Sequence, residues 1–253
     1  MLELKKLTTG YGDKIISRDI SARLRSGALT CLLGPNGSGK STLLRTLWGY
    51  TPAISGEIAL NGRPLSEHSI QELSTQISIV QTNNFGLSNM TAREVVALGR
   101  SPYTSFWGKM RQEDEEIIRQ SIDIAGVGRL MERSIETLSD GERQKVMIAK
   151  SLAQSTPIMI LDEATAFLDF TSKIETLTML KSLAKQRGKT ILLSTHDVEQ
   201  ALQISDEIWI LSPEGLDCGT ADELSKGGVI DARLGMKGAR YDIDEKRFRF
   251  TES

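Results

Sequence analysis

The chain has 253 residues, 39% hydrophobic and 25% charged, with a formal net charge of −2. Such a chain can bury a sizeable core, as one large domain or one domain with an inserted subdomain. The charge excludes a general attraction to nucleic acid, and no apolar run approaches the ~18–20 residues that cross a bilayer.

In chain order, Leu2 to Thr8, Ile20 to Leu24 and Glu57 to Leu60 alternate apolar and polar residues as short strands do, and Asn61-Gly62 is a hairpin-turn signal. Between them, Ala28 to Leu33 is an apolar run of buried-strand length, and Leu43, Leu44, Leu47 and Trp48 mark a helix that Gly49 can end. Ile77 to Val80 is a short strand. Thr91 and Glu94 have capping-box spacing and open a helix ending near Gly99, and Glu113 to Ile124 reads as a solvated helix. Ser139 and Glu142 cap a further helix. After Pro157, the strands Ile158 to Leu161 and Thr190 to Leu193 enclose a helix over about Lys173 to Arg187. Strand–helix alternation on both sides of a helical stretch predicts a parallel α/β core. Arg240 to Ile243 and Arg247 to Phe250 suggest a small hairpin at the end. Cys31 and Cys218 make no disulfide framework, Cys31 reading as an inert buried thiol. The N-terminus lacks an apolar signal region, so the expectation is a cytoplasmic chain that meets a membrane only through a partner. Lys145 and Lys150 read as exposed helix charges, and His68 as a surface residue.

Between the buried strand and the first helix lie Gly34, Pro35, Asn36, Gly37, Ser38, Gly39, Lys40, Ser41 and Thr42, a complete G-x-x-x-x-G-K-[ST] loop. Its glycines let successive backbone N–H groups turn toward phosphate oxygens, and the helix N-terminus adds partial positive charge. Lys40 supplies a compact cation for the β/γ-phosphates, and the Ser41 hydroxyl can ligate Mg²⁺. This pattern predicts nucleoside triphosphate binding. Downstream, Asp162 and Glu163 end the apolar run from Ile158. A carboxylate at a strand tip beside a phosphate loop serves Mg²⁺, here Asp162. Strand alternation would turn Glu163 elsewhere, free to activate water.

The order of these motifs resembles the nucleotide-binding subunit of ATP-binding cassette (ABC) transporters over residues 1 to 225. Tyr11 matches the adenine-stacking aromatic, 34–42 the Walker A loop, Gln81 the Q-loop, 138–142 the signature, 158–163 Walker B, Asp169 the D-loop and His196 the switch histidine. The resemblance implies a P-loop NTPase (RecA-like) parallel-sheet core with an N-terminal antiparallel β subdomain and an inserted α-helical subdomain. Residues 1–81 and 155–225 would form the core and β subdomain, 82–154 the helical insert, and 226–253 an appendage. It implies ATP and Mg²⁺ as cofactors, a metal set of Ser41, Gln81 and Asp162, and Glu163, His196, Gln81 and Lys40 as catalytic groups. It also implies a head-to-tail homodimer in which Ser139, Asp140, Gly141 and Glu142 meet the partner's nucleotide. Partners would be transmembrane permease subunits and an extracytoplasmic substrate-binding protein, placing the chain at the cytoplasmic membrane face, with no nucleic acid. The signature departs from the family's Leu-Ser-Gly-Gly-Gln at Asp140 and Glu142, and two acids there oppose closure unless they point away or cap the helix. Leu98 to Tyr103, with Phe106 to Lys109 after it, resembles the Gly-Arg-x-Pro segment of iron-siderophore, haem and cobalamin importer ATPases. The alternative is an ABC ATPase acting on a soluble macromolecular partner without transport.

Overall fold

The computed structural model describes residues 1–81, 87–104, 110–235, 239–242, 244–245 and 247–250. The Phe106 to Lys109 stretch and Ile243 lie outside the described residues. The strands β1 (Leu2–Tyr11) and β2 (Lys14–Arg23) pair antiparallel. β3 (Leu29–Leu33) enters the core and leads to α1 (Lys40–Leu47). β4 (Ser55–Leu60) returns to pair with β1, and the two-residue turn Asn61-Gly62 leads into β5 (Arg63–Pro64). Both turn residues have positive φ, 53° and 84°, as this tight hairpin needs. This sheet has the order β2-β1-β4-β5.

Then come α2 (Ile70–Gln76) and β6 (Ile77–Val80), followed by α3 (Ala92–Ala97), a 3₁₀ turn over Leu98–Tyr103, α4 (Gln112–Ala125) and α5 (Asp140–Ala153). The chain re-enters strand–helix alternation with β7 (Ile158–Asp162), α6 (Phe170–Arg187), β8 (Thr190–Ser194), α7 (Val198–Ile204), β9 (Glu207–Ser212) and β10 (Gly215–Gly219). α8 (Ala221–Lys226), α9 (Val229–Leu234) and a hairpin of β11 (Ala239–Asp242) and β12 (Arg247–Phe250) follow.

The central sheet has the order β10-β9-β3-β8-β7-β6, parallel except where β10 meets β9. Alternate side chains divide its two faces. Leu32, Ile158, Ile160, Leu192, Trp209 and Leu211 pack with Leu43, Leu44 and Leu47 of α1 and with the antiparallel sheet. Cys31, Leu33, Met159, Leu161, Leu193 and Ile210 pack with α3 to α6. Strands sandwiched in this way read as continuous apolar runs, and each buried leucine or isoleucine contributes ~1.5–3 kcal/mol.

Four helices, α2, α3, α5 and α8, open with a reciprocal capping box between a Ser or Thr and a Glu three residues on. α4 is solvated on one face only, since Asp114, Ile118, Ser121 and Ile122 are buried. The Gly-Arg-Ser-Pro segment pins the helical layer. Arg100, 6% exposed, donates from Nε to Asp114 Oδ1 at 2.9 Å and from Nη1 to the Ala153 carbonyl at 2.8 Å. Its guanidinium lies 4.1 Å from the Tyr103 ring centroid. Gly99 sits so close to α5 that a Cβ would be 2.3 Å from the Lys150 carbonyl oxygen. The 3₁₀ turn is thereby stapled to the last turn of α5.

Candidate active site

The phosphate loop spans the bend between β3 and α1. Gly34 has φ 151°, and a Cβ there would lie 2.3 Å from the Leu211 carbonyl oxygen on β9. Only glycine allows the loop to leave the sheet so close to a neighbouring strand. α1 begins with no side-chain cap and no acid in its first turn, leaving its first N–H groups open to an anion. Lys40, 6% exposed, donates from Nζ to the carbonyls of Gly34 (2.8 Å) and Pro35 (3.1 Å). Burial holds its ammonium below the ordinary lysine value, with Glu163 and Asp162 pulling the other way. Ser38 Oγ is buried in the loop with no hydrogen-bond partner. An orphaned hydroxyl costs free energy, and a phosphate oxygen would satisfy it, so the loop fits a nucleotide. Tyr11, half exposed at the end of β1, accepts hydrogen bonds at its hydroxyl from Thr42 Oγ1 and Arg45 Nη1, each at 3.4 Å.

The second half of the site lies at the C-terminal tips of β7 and β8. Asp162 Oδ1 accepts from Ser41 Oγ at 3.3 Å and from Ser194 Oγ at 2.7 Å. Ser194 is paired with Asp162 across the parallel ladder, and its Oγ also accepts from the Glu163 amide at 2.9 Å. Glu163 then turns back so that Oε1 lies 2.6 Å from His196 Nε2. Lys173 of α6 pairs with Asp197 at 2.6 Å and fixes the loop that carries the histidine. Ser41 and Asp162 converge, and Gln81 lines the same groove. No cluster of three or more His, Cys, Asp or Glu that could hold a metal occurs among the described residues. A hydroxyl and one carboxylate suit Mg²⁺, which keeps waters and takes phosphate oxygens for its other positions.

The signature residues face a different cavity. Ser139, Asp140, Gly141 and Glu142, with Phe167 and Asp169, line a space of ≈ 530 Å³, whereas Ser41, Gln81, Asp162 and Glu163 line a groove of ≈ 740 Å³, and the two share no residue. Ser139 caps α5: its Oγ accepts from the Glu142 amide and Glu142 Oε2 accepts from the Ser139 amide, both at 3.2 Å. That second bond holds the Glu142 carboxyl below its ordinary value, and Arg133 and Arg129 add to the effect. Asp140 points outward, its side chain 67% exposed, and pairs with Arg143 at 3.1 Å. Asp169 caps α6 by accepting from the Ser172 amide at 2.9 Å.

A phosphate loop, a carboxylate pair and a histidine at adjacent strand tips are the parts of a nucleotide-hydrolysing centre. The sequence model of the family described as "ABC transporter" matches residues 17–166. The chain belongs to the ABC transporter family. It is an ATPase subunit. The iron(3+)-hydroxamate import ATP-binding protein FhuC of Bacillus subtilis is 36% identical, over 92% of this chain and 89% of that one. The ferric enterobactin transport ATP-binding protein FepC of Escherichia coli is 35% identical, over 92% and 86%. A dimeric ATP-binding cassette in a post-hydrolysis state with ADP and phosphate superposes with a TM-score of 0.76 at 26% identity, over 87% of this chain and 99% of that one.

Within this ABC subunit several sequence readings change. Glu163 diverges from Asp162 for a different reason than strand alternation: β7 ends at Asp162 and Glu163 has a left-handed φ of 53°. Lys145 and Lys150 are not exposed charges. Lys145 bonds to Ser172 and Glu175 of α6, while Lys150, half-buried in the ≈ 740 Å³ groove, has no partner among the described residues and is held below the ordinary lysine value by burial. His68 is partly buried, and its Nε2 is shielded from solvent with no partner. Cys31 is fully buried, and burial pushes its thiol up to about 12. The functional side chain that sequence reasoning missed is Ser194. Its only signal was its position two residues before His196, at a strand tip that turned out to adjoin Asp162.

Proposed function

We propose that the chain powers import of an iron-siderophore, or a comparable chelate such as haem or cobalamin, through a membrane permease. The carrying observation is the convergence of Ser41, Asp162, Ser194, Glu163 and His196 beside a phosphate loop, while the signature faces elsewhere. One protomer then holds two half-sites, and a head-to-tail pair would bring the signature of each to the nucleotide of the other. The cargo class rests on the resemblance to the hydroxamate and enterobactin proteins and on the Gly-Arg-Ser-Pro segment.

In this reading the loop amides, Lys40 and Ser38 bind the phosphates, and Tyr11 stacks on the base. Ser41, Asp162 and Gln81 would hold Mg²⁺, which supplies charge neutralisation at the β/γ oxygens. Glu163 takes the proton of the attacking water. His196 Nε2 orients that carboxylate and turns to the γ-phosphate as the site closes, and Gln81 senses the same phosphate. The ≈ 740 Å³ groove, lined by Trp48, Tyr50, Ile70, Leu73 and Lys150, is the seat for a cytoplasmic helix of the permease. Tyr50 and Ile70 are exposed there, at 77% and 88%. No helix among the described residues is long and apolar enough to cross a membrane, in keeping with peripheral attachment at the cytoplasmic face. An extracytoplasmic binding protein would deliver the cargo.

Glu163→Gln tests the chemistry: turnover falls roughly 10²–10⁴-fold with ATP affinity retained, and near-normal hydrolysis refutes the assignment of the base. Purification of tagged protein from detergent-solubilised native membranes tests the coupling. A multi-spanning permease should come with it; recovery with ribosomes or another soluble assembly instead favours an ATPase uncoupled from transport.

A further inference from the structure

The last stretch of the chain has no part in the chemistry above, yet it is tied down, and residues near a terminus are ordered only where something holds them. Arg233 of α9 pairs with Asp217 of β10 at 3.0 Å and with Glu214 at 2.8 Å. The Tyr241 amide of β11 donates to Asp231 Oδ1 at 3.0 Å, which joins the hairpin to α9. The Phe248 amide of β12 donates to Glu199 Oε1 at 2.9 Å, and Glu199 lies in the first turn of α7. The tail therefore runs from the edge strand of the central sheet back to a helix 49 residues earlier in the chain.

Side chains make the same bridge. Tyr241 is 8% exposed and belongs to the core cluster that holds Ala201 and Leu202 of α7, with Val198 and Phe248 packed against that cluster. The Tyr241 and Phe248 rings meet edge to face, their centroids 5.4 Å apart. The Tyr241 hydroxyl is shielded from solvent and has no hydrogen-bond partner among the described residues, so the ring and not the hydroxyl holds this residue in place.

The position of α7 matters because of what precedes it. His196 stands two residues before the helix begins at Val198, whose amide closes on the His196 carbonyl at 3.1 Å. Lys173 of α6 grips Asp197 at 2.6 Å, and past the other end of the helix Lys181 of α6 grips Asp206 at 2.5 Å. The hairpin adds a bond to the first turn between these two. A ring nitrogen that must stay 2.6 Å from Glu163 Oε1 tolerates little drift of the helix beside it.

We propose that the C-terminal hairpin braces the loop carrying His196: Glu199, Tyr241 and Phe248 are positioning residues that hold α7, and through it the imidazole, against Glu163. The proposal rests on the reading above in which His196 orients the Glu163 carboxylate.

The test is steady-state ATP hydrolysis by the full chain, well below the unfolding midpoint, in Glu199→Ala, Glu199→Gln, Tyr241→Ser, Tyr241→Phe, His196→Ala and the double variant His196→Ala/Glu199→Ala. The brace predicts that Glu199→Ala and Tyr241→Ser each lower kcat about 10-fold with KM for ATP within about twofold, since the phosphate loop is untouched. Glu199→Gln keeps the accepting oxygen and Tyr241→Phe keeps the ring, so both should stay within about twofold of wild type. On the His196→Ala background, Glu199→Ala should cost less than about twofold, because nothing is left to position. Glu199→Ala changes an exposed side chain and keeps the test decisive if Tyr241→Ser fails to fold. Wild-type kcat in Glu199→Ala, with or without a lowered unfolding midpoint, overturns the brace and leaves the tail a packing appendage. Equal losses in Glu199→Ala and Glu199→Gln, or full multiplication of the two losses in the double variant, overturn it as well. A His196→Ala protein with wild-type kcat overturns the histidine reading and the brace with it, whereas a crippled His196→Ala beside an unaffected Glu199→Ala refutes the brace alone.

Discussion

Replacing Ser194 by alanine removes one oxygen and two hydrogen bonds from the centre of the site. The first, 2.7 Å to Asp162 Oδ1, is charge-assisted; the second, 2.9 Å from the Glu163 amide, satisfies a backbone donor. Ser194 is 0% exposed, so water does not simply take the place of its hydroxyl. A hydrogen bond to a charged group contributes about 1.5–3 kcal/mol and an orphaned buried donor costs about 1–3 kcal/mol. Asp162 keeps Ser41 as a second partner, which limits the sum to roughly 2–4 kcal/mol. At about 2–4 °C per kcal/mol for a chain of this size, the midpoint of thermal unfolding should fall by roughly 5–15 °C. Turnover should fall about 10–100-fold through the loosened Glu163 carboxylate, with KM for ATP nearly unchanged because the phosphate loop is untouched. Phosphate release and thermal denaturation on the same preparation measure both effects. A Ser194→Ala protein within about 0.5 kcal/mol of wild type and fully active would show that Ser194 holds neither acid in place.

Asp140→Gly should leave basal ATPase activity within a few-fold, because the side chain points outward and its ion pair with Arg143 is an exposed one of ~0–1 kcal/mol; loss of activity in a phosphate-release assay would give the aspartate a positive role. Asp114→Ala should destabilise by about 3–5 kcal/mol in urea denaturation, since it leaves the buried Arg100 guanidinium without its carboxylate, and a cost under ~1 kcal/mol would refute the staple. Lys189 gives a pH signature. Burial lowers its ammonium from 10.5 to about 8, so between those values the unfolded chain holds the extra proton and stability rises with pH. Lys189→Met should flatten that rise in denaturation profiles, and identical slopes would refute the assignment.

Local signals were legible wherever neighbours in sequence do the work. The capping boxes at Thr91 and Ser139, the Asn61-Gly62 turn and the buried run at β3 need only nearby residues, and the structure has all of them. β1 and β2 are longer than their alternation suggested, because register shifts in their pairing scramble the two-residue period. The site's finer geometry depends on register between distant strands. Nothing in the sequence marks Ser194 as the neighbour of Asp162, 32 residues away, until β7 and β8 align. The left-handed turn at Glu163 and the approach of Gly34 to Leu211 are likewise products of tertiary packing. Lys150 reads as a solvated charge because the wall that buries it, with Ile70, Leu73 and Gln154, comes largely from another part of the chain.

The staple at Arg100 gives α5 a mechanical property. This helix has 14 residues, a rod of about 21 Å at 1.5 Å rise per residue. Ser139 stands at one end, where a second subunit's nucleotide would sit, and Lys150 and Gln154 stand at the other, in the groove proposed for the permease. Arg100 grips the last turn through the Ala153 carbonyl, and Gly99 lies against the Lys150 carbonyl with no room between. With its last turn gripped in this way, a push on the groove end would be met by the helix as one body and not by that turn alone.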